Sequence, residues 1–375
     1  MKKTLIKLLE EVPDYRQGNA IRHNLSDILM IGLLSEICNG DTFADMALFG
    51  ETHEAILKEF LALPNGIPSH DTFEDVFAKL EPSALAEGFG SWIGDLKEEL
   101  RAATIAIDGK TIRRSKSTDK KAVHVVTAFA SQMQLVLGQL ATDEKSNEIT
   151  AIPKLLDMFC VKGNIITIDA MGTQTEIAKK IIEKEGDYVL AVKGNQGNLH
   201  ENISLYLDTE IIAQDKKQLE EKGHYKKTVE KGHGRIESRE CFLCPEIDWL
   251  YEAKNWAGLE GIGVIISKRK ETGKEPTVSK NYFIYSIKDA NAEDILRIKR
   301  EHWAIENNLH WTLDVIFRED DSRARLENAA ENLNILRKQA LQLMKQETTV
   351  KGSMRAKRLR CAFDIFYALK VIGVK

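Results

Sequence analysis

Residues 104–110 read TIAIDGK and residues 164–172 read NIITIDAMG. Each is a short β-type run ending in an Asp just where the chain turns into a Gly-containing loop. Outward from them, His124 to Ala130 and Leu135 to Ala141 are two more strand-like runs, joined at the polar Ser131-Gln132. Ile149 to Phe159 and Thr175 to Glu185 read as helices. Asp187 to Val192 reads as a strand ending in Lys193-Gly194-Asn195-Gln196-Gly197. The order β-β-β-α-β-α-β, a possible meander followed by βαβ units, predicts an α/β fold with a mixed sheet flanked by helices. An all-parallel doubly wound sheet fits worse, because the first three strands lack crossover helices.

The flanks read differently. The first hundred residues are helical in pattern, with Ser26 able to cap a buried helix from Asp27 to Cys38. LPNGIPSHD, from Leu63 to Asp71, is loop, and a helix from Thr72 to Leu80 follows with Asp71 or Ser69 as its cap. After Leu199 the pattern loosens. Residues 200–289 read as an insertion with β-like stretches at Gly261 to Ser267 and Asn281 to Ser286. A long helix is expected from Ala292 to Phe317, then a charged helical C-terminal region.

Composition narrows the function. The 375 residues are 43% apolar and 29% charged, enough for two or three domains with a sizeable core and against long disorder. A net charge of −4 excludes a wholly basic nucleic-acid coat but not a local basic face. Charge is in fact separated. Residues 41–100 hold thirteen acids against three Lys, whereas residues 337–375 hold ten Lys or Arg against Glu347 and Asp364. Lys110 to Lys121 carries six basic residues against Asp119. Such separation suggests particular faces that meet a polyanion, although charge runs are also simply solvated faces. Five cysteines make no disulfide scaffold and fit a reducing cytoplasm. Charges interrupt the apolar N-terminal stretch, and Ile28 to Leu34 is far too short to span a bilayer, so neither secretion nor a membrane is expected.

Asp108 and Asp169 end their strands on what would be one sheet edge, the usual place for a ligand. Two carboxylates there can hold Mg²⁺, a hard, oxygen-seeking ion; the competing reading is that Asp before Gly is a good turn residue. A third acid comes from EHWAIENNLHWTLD, residues 301–314. His302, Glu306, His310 and Asp314 recur every four residues and would line one helix face, with Trp303 and Trp311 beside them. A packed helix aiming a polar stripe into a cleft explains this; so does a buried, hydrogen-bonded stripe without metal. A zinc hydrolase built on His302, Glu306 and His310 is a further alternative, one whose activity would survive loss of Asp108 and Asp169. Cys241 and Cys244 form a CxxC with no second pair at zinc spacing. There is no GxxxxGK[ST] string, so ATP use is not indicated.

A series of longer strings carries more. PDYRQGNAIRHNLSDIL, LPNGIPSHDTF, IAIDGKTIRRS, DEKSNEITAIPKLL, ITIDAMGTQTEIA, YVLAVKGNQGNLHENI, GHGRIESRE, HWAIENNLHWTLDVIFRED and ENLNILRKQAL follow one another in this order. With them the chain resembles, over nearly its whole length, bacterial insertion-sequence transposases of the DDE type, in the family that includes the H-repeat-associated proteins. The resemblance implies a ribonuclease H-like catalytic core over residues 101–199 and 290–336, interrupted by the insertion at 200–289. It implies a helical N-terminal domain over 1–100 that binds DNA ends, with a basic helical region over 337–375. Asp108, Asp169 and Glu306 become the catalytic, metal-binding triad, with Mg²⁺ as the ion, Mn²⁺ able to substitute, and no ATP. The expected reaction is cleavage of element ends and joining of the 3′-hydroxyl to target DNA. Lys110, Arg113, Arg114, Lys193, Asn195, Gln196, His233 and Arg235 are the candidate DNA contacts. Partners would be double-stranded DNA, as terminal inverted repeats and target, and a second copy of the chain when bound to ends, in the cytoplasm. A catalytically inactive, DNA-binding descendant is the alternative. The chain departs from the Tyr-Arg-Glu-Lys pattern common around the third acid: Lys299, His302 and Leu313 stand at the places of its Tyr, Arg and Lys. His302, His310, Arg318 or Arg323 would then supply the missing donors.

Overall fold

Asp108 lies inside a strand that runs on to Thr111 and not at its end, because Gly109 to Thr111 stay paired in the sheet, whereas Asp169 directly follows the strand Ile165–Ile168; both strands belong to one large mixed sheet. In this computed structural model, residues 5–18, 21–94, 100, 102–117, 121–142, 147–232 and 234–374 are described. β1 (Thr104–Thr111), β2 (His124–Ala130) and β3 (Leu135–Thr142) form an antiparallel meander. β4 (Ile165–Ile168) lies parallel to β1, and β5 (Asp187–Val192) parallel to β4. β6 (Tyr225–Gly232), β7 (Arg235–Cys244), β8 (Gly261–Glu271) and β9 (Thr277–Tyr285) are antiparallel and join the sheet through a β5–β9 pairing. The strand order is β3-β2-β1-β4-β5-β9-β8-β7-β6. The region read as an insertion therefore continues the sheet.

Helices cover both faces, which is why β2 reads as a continuous apolar run, HVVTAFA, buried throughout. Among the described residues, five helices precede the sheet: α1 (Leu5–Glu10), α2 (Leu25–Ile37), α3 (Phe43–Leu57), α4 (His70–Lys79) and α5 (Pro82–Gly94). Ser69 caps α4 by accepting from Thr72 N, as one of the two expected caps; α2 begins at Leu25, before the expected Ser26. α6 (Glu148–Leu155), α7 (Thr175–Glu183), α8 (Asn198–Tyr206) and α9 (Lys216–Glu221) follow. Ile105, Ile107, Ile166, Ile168 and Leu190 pack on one face against Ile152, Ile177 and Ile203 of α6, α7 and α8. The opposite face carries α10 (Ala292–Ala304), α11 (Trp311–Val315) and α12 (Ala329–Gln346).

α13 (Met354–Phe363) and α14 (Ile365–Val371) end the described chain. Ile28 of α2, Phe73 of α4, Leu336 of α12 and Leu369 of α14 all belong to one apolar core, which also holds Ala106 and Phe129 of the sheet. The basic C-terminal stretch is thus no free tail. Arg337, Lys338 and Arg358 are buried; Arg337 pairs with Glu36 at 3.1 Å, and Arg358 donates to the Glu36 carbonyl at 2.7 Å. Part of the charge separation along the sequence is internal complementarity between chain ends. Among the described residues no helix is long and apolar enough to cross a membrane.

Candidate active site

Side chains alternate along strands. Thr104, Ala106, Asp108 and Lys110 of β1 therefore share one face, as do Thr167 and Asp169 at the end of β4, and Val189, Ala191 and Lys193 at the end of β5. This is the face under α10. Val189 packs with Ile295 and Ile298, and Thr104 Oγ1 donates to Glu301. Thr167 Oγ1 and His302 Nδ1 lie 2.9 Å apart. Asp108 Oδ2 lies 3.4 Å from Nδ1 of His310. Asp169 Oδ1 accepts from the backbone N–H groups of Met171 (3.0 Å) and Gly172 (3.2 Å), which fixes its carboxylate in the turn after β4.

The third acid stands on an irregular turn. α10 passes at Ile305–His310 into a π-helical turn and resumes as α11. In an α-helix of 3.6 residues per turn, every fourth residue drifts by about 40°. A π-turn is wider and rotates less per residue, so it offsets that drift between Glu306 and His310. Glu306 is raised above the ordinary carboxylate range by burial and then by the negative charges of Asp108 and Asp169, with His310 and Lys193 acting the other way. The three acids thus share one electrostatic neighbourhood. Burial opposes ionisation of Asp108, but the hydrogen bond and charge of His310 hold it below the usual value. Burial, then Lys299, push His302 down to about 3, so its imidazole is neutral.

The other expected residues divide. Lys110 is turned inward and paired: its ammonium lies 2.5 Å from Asp314 and also bonds the fully buried Glu319. Asp314 accordingly serves Lys110 and the strand end rather than standing free in a stripe. Asn195 and Gln196 also look inward, each donating to the Ala170 carbonyl at 2.7 Å. They brace the loop that carries Asp169. Arg113 and Arg114 are exposed, each near an acid, Asp320 at 3.3 Å and Asp321 at 3.5 Å. Lys193 is exposed at the site rim. Arg235 is exposed at the β6–β7 turn, and His233 lies outside the described residues. Trp303 and Trp311, expected to be packed, are 45% and 55% exposed, with the Arg239 guanidinium 5.8 Å from the Trp303 ring centre. Lys299, noted in the sequence only as a departure, is partly buried; burial, then the charge of Lys193, push it down to about 8, with Asp169 acting the other way. Cys241 and Cys244, three apart on β7, face opposite sides of the sheet and cannot share a metal.

Oxygen donors on Asp108, Asp169 and Glu306, mutually repulsive and partly desolvated, have the chemistry a hard divalent cation requires. His310 Nε2 is buried beside them without a hydrogen-bond partner, an orphaned polar atom at the same place. Among the described residues no three His, Cys, Asp or Glu side chains are already drawn into a metal cage.

With this geometry in view, the likenesses to known proteins fall into place. A family model described as Transposase DDE domain matches residues 100–343, and one described as DDE_Tnp_1-associated matches residues 6–93. The chain belongs to the DDE transposase family of insertion-sequence type. It is 40% identical to "H repeat-associated putative transposase YhhI" of Escherichia coli (strain K12), over 99% of this chain and 98% of that one. It is 41% identical to "Inactive transposase YbfQ" of the same strain, over 20% of this chain and 93% of that one. Among solved structures, a chain of the piggyBac transposase synaptic complex with hairpin DNA is similar with a TM-score of 0.40 at 9% identity, covering 98% of this chain and 77% of that chain.

Proposed function

We propose that this chain is an active DNA transposase that cleaves insertion-sequence ends and joins the freed 3′-hydroxyl to target DNA by divalent-metal-dependent phosphodiester transfer. What supports the reading is that Asp108 and Asp169 lie on the sheet face beneath α10, and that Glu306 is raised by burial and then by the charges of Asp108 and Asp169. The order β3-β2-β1-β4-β5, with only β2 antiparallel to its two neighbours in that half, supports a ribonuclease H-like core over residues 101–199 and 290–336. Residues 200–289 extend that core, the N-terminal helices over 1–100 bind the element ends, and 337–375 complete the helical layer.

Asp108, Asp169 and Glu306 would hold Mg²⁺, with Mn²⁺ able to substitute. Bound there, the ion would supply the positive charge that polarises a phosphodiester and eases deprotonation of the attacking oxygen. The chain's residues do the rest. His310 keeps Asp108 ionised. Neutral His302, tied to Thr167, fixes α10 against β4. Asn195 and Gln196 hold the Asp169 loop. Arg113, Arg114, Lys193 and Arg235 face the duplex backbone, and the exposed Trp303 and Trp311 offer ring faces to unstacked bases. In the first step a water oxygen bonds to phosphorus and the P–O3′ bond breaks, leaving a 3′-hydroxyl and a 5′-phosphate. In the second, that 3′-oxygen bonds to a target phosphorus and the target's P–O3′ bond breaks. One phosphodiester replaces another, so no ATP is required. Two copies would act together on paired ends in the cytoplasm.

The test uses duplexes copied from the DNA flanking the gene, and random duplexes of equal length. Mg²⁺-dependent release of 3′-hydroxyl ends from the flanking duplexes alone, followed by joining to a plasmid, is expected. Binding without cleavage under Mg²⁺ and Mn²⁺ would point to the inactive descendant.

A further inference from the structure

The π-turn that carries Glu306 is held from outside its own helix. Trp311 N donates to the Glu306 carbonyl, an i→i+5 bond, and Asn308 lies within the ring that this bond closes. The Asn308 carbonyl accepts from the Lys345 ammonium at 2.8 Å. Lys345 belongs to the last turn of α12. The same ammonium donates to Gln134 Oε1 at 2.7 Å, in the turn between β2 and β3. That turn also grips the helix ahead of the acid, since Gln132 Nε2 donates to Glu301 Oε1 at 2.9 Å. Contacts from one sheet turn thus fall on both sides of Glu306, at Glu301 directly and at Asn308 through Lys345. Beneath them, Ile305 and Leu309 of the π-turn share an apolar core with Phe129, Leu341 and Met344.

We propose that Lys345 is a positioning residue for the third acid: by tying the Asn308 carbonyl to the β2–β3 turn, it holds the π-turn and so fixes the direction in which Glu306 leaves the helix toward Asp108 and Asp169. The proposal rests on the reading of the chain as a transposase for the role of Glu306. π-Turns are rare, and each closes a ring one residue larger than an α-turn. Reverting to an α-turn would rotate α10 against α11 by about one residue, roughly 100°, and carry Glu306 away from its partners. Lys345 is suited to prevent this. It is half-buried, and both its acceptors are neutral oxygens, so its charge strengthens the two hydrogen bonds instead of answering an acid. Burial brings it down to about 8, which leaves it protonated at neutral pH.

The experiment titrates Mn²⁺ alone into the full chain and follows free Mn²⁺ by electron paramagnetic resonance, taking the part lost in Asp108→Asn as the acid site. Lys345→Met keeps the side chain's length and removes the donor. It is expected to weaken that binding about tenfold, the low end of what losing an outer-shell partner costs a metal site. The Mg²⁺ needed for half-maximal cleavage of the flanking duplex should rise by a similar factor. Lys345→Arg, which still donates, should bind Mn²⁺ as wild type does. Lys357→Met is the structural control. Lys357 also donates to a carbonyl of α12, that of Met344 at 2.9 Å, but from α13, so its loss should lower the melting temperature and leave Mn²⁺ binding unchanged. If Lys345→Met does not fold, Gln134→Asn, too short to reach the ammonium, should show a loss in the same direction. Wild-type Mn²⁺ affinity in the folded variant overturns the proposal, as does an equal loss in Lys357→Met or in Lys345→Arg. Cleavage separates the two claims. Weakened Mn²⁺ binding in Lys345→Met with no cleavage by the wild-type chain refutes the transposase reading and upholds the positioning of Glu306. Cleavage by wild type with unaltered Mn²⁺ binding in Lys345→Met refutes the positioning alone. A wild-type chain that neither takes Mn²⁺ at Asp108 nor cleaves overturns both.

Discussion

Replacing Glu319 by Gln tests the buried charge beneath the acid cluster. Glu319 is fully buried and bonds Lys110 and, at 2.7 Å, the Asn334 amide. Burial works against its ionisation, but Lys110 and then Arg337 hold it down to about 2, against an ordinary value of 4.5. At 1.36 kcal/mol per tenfold change in acidity, that fall corresponds to about 3 kcal/mol favouring the folded state at neutral pH. Breaking a buried ion pair typically costs about 3–5 kcal/mol, in the same range. The sign follows from the depressed value: the stabilisation is complete above about 4.5 and is lost as pH falls toward about 2. Urea unfolding of wild type and Glu319→Gln should therefore differ by about 3 kcal/mol at pH 7, and the gap should close as the medium is acidified. The double variant Lys110→Met, Glu319→Gln should recover part of the loss, because the Lys110 ammonium, left with Asp314 alone in the single variant, is removed together with its buried partner. A Glu319→Gln protein within about 0.5 kcal/mol of wild type at pH 7 would refute the account of this corner.

Other outcomes follow from named contacts. A Cβ on Gly109 would overlap the His124–Glu148 pair, whose Nε2 and Oε1 are 2.6 Å apart, so Gly109→Ala should lose about 1–3 kcal/mol; a wild-type melting temperature would count against that packing. His310→Ala should slow single-turnover cleavage more than it weakens duplex binding, since His310 acts through Asp108; a fully active and equally stable variant would remove it from the site. Deleting residues 354–374 should lower the melting temperature sharply, because Arg358, Tyr367 and Leu369 are buried there; unchanged melting with reduced DNA affinity would restore the picture of a free basic tail.

What was legible in the sequence depended on how local its cause was. TIAI and IITI could be read as strands because both faces of those runs are apolar or β-branched and both are covered. β6 and β7 escaped notice because YKKTVEKG and RIESRE carry charge on alternate residues of both faces, which hides a period of two. The four-residue spacing from His302 to Asp314 implied one regular helix; the chain instead passes through a π-turn at Ile305–His310, which no spacing announces. Lys110 looked like a DNA contact because its partners Asp314 and Glu319 lie about two hundred residues later in the chain. The basic C-terminal stretch misled for a similar reason, since Arg337 and Arg358 answer Glu36 and Asp41 from the other end. Asp108, Asp169 and Glu306 are expectations from the strand pattern and the family strings, and the first of them lies inside its strand rather than at its end, while Lys299 gave no signal beyond departing from a pattern.

The most direct measurement of the central claim compares Mg²⁺-dependent cleavage of a flanking-DNA duplex by wild type, Asp108→Asn, Asp169→Asn and Glu306→Gln, with binding followed on the same samples. Each change removes a charged oxygen donor with little change in volume. If the three acids act as one site, every variant loses cleavage while binding the duplex at near wild-type affinity. Near-normal cleavage by any one of them would contradict the assignment of that residue and, with it, the shared site.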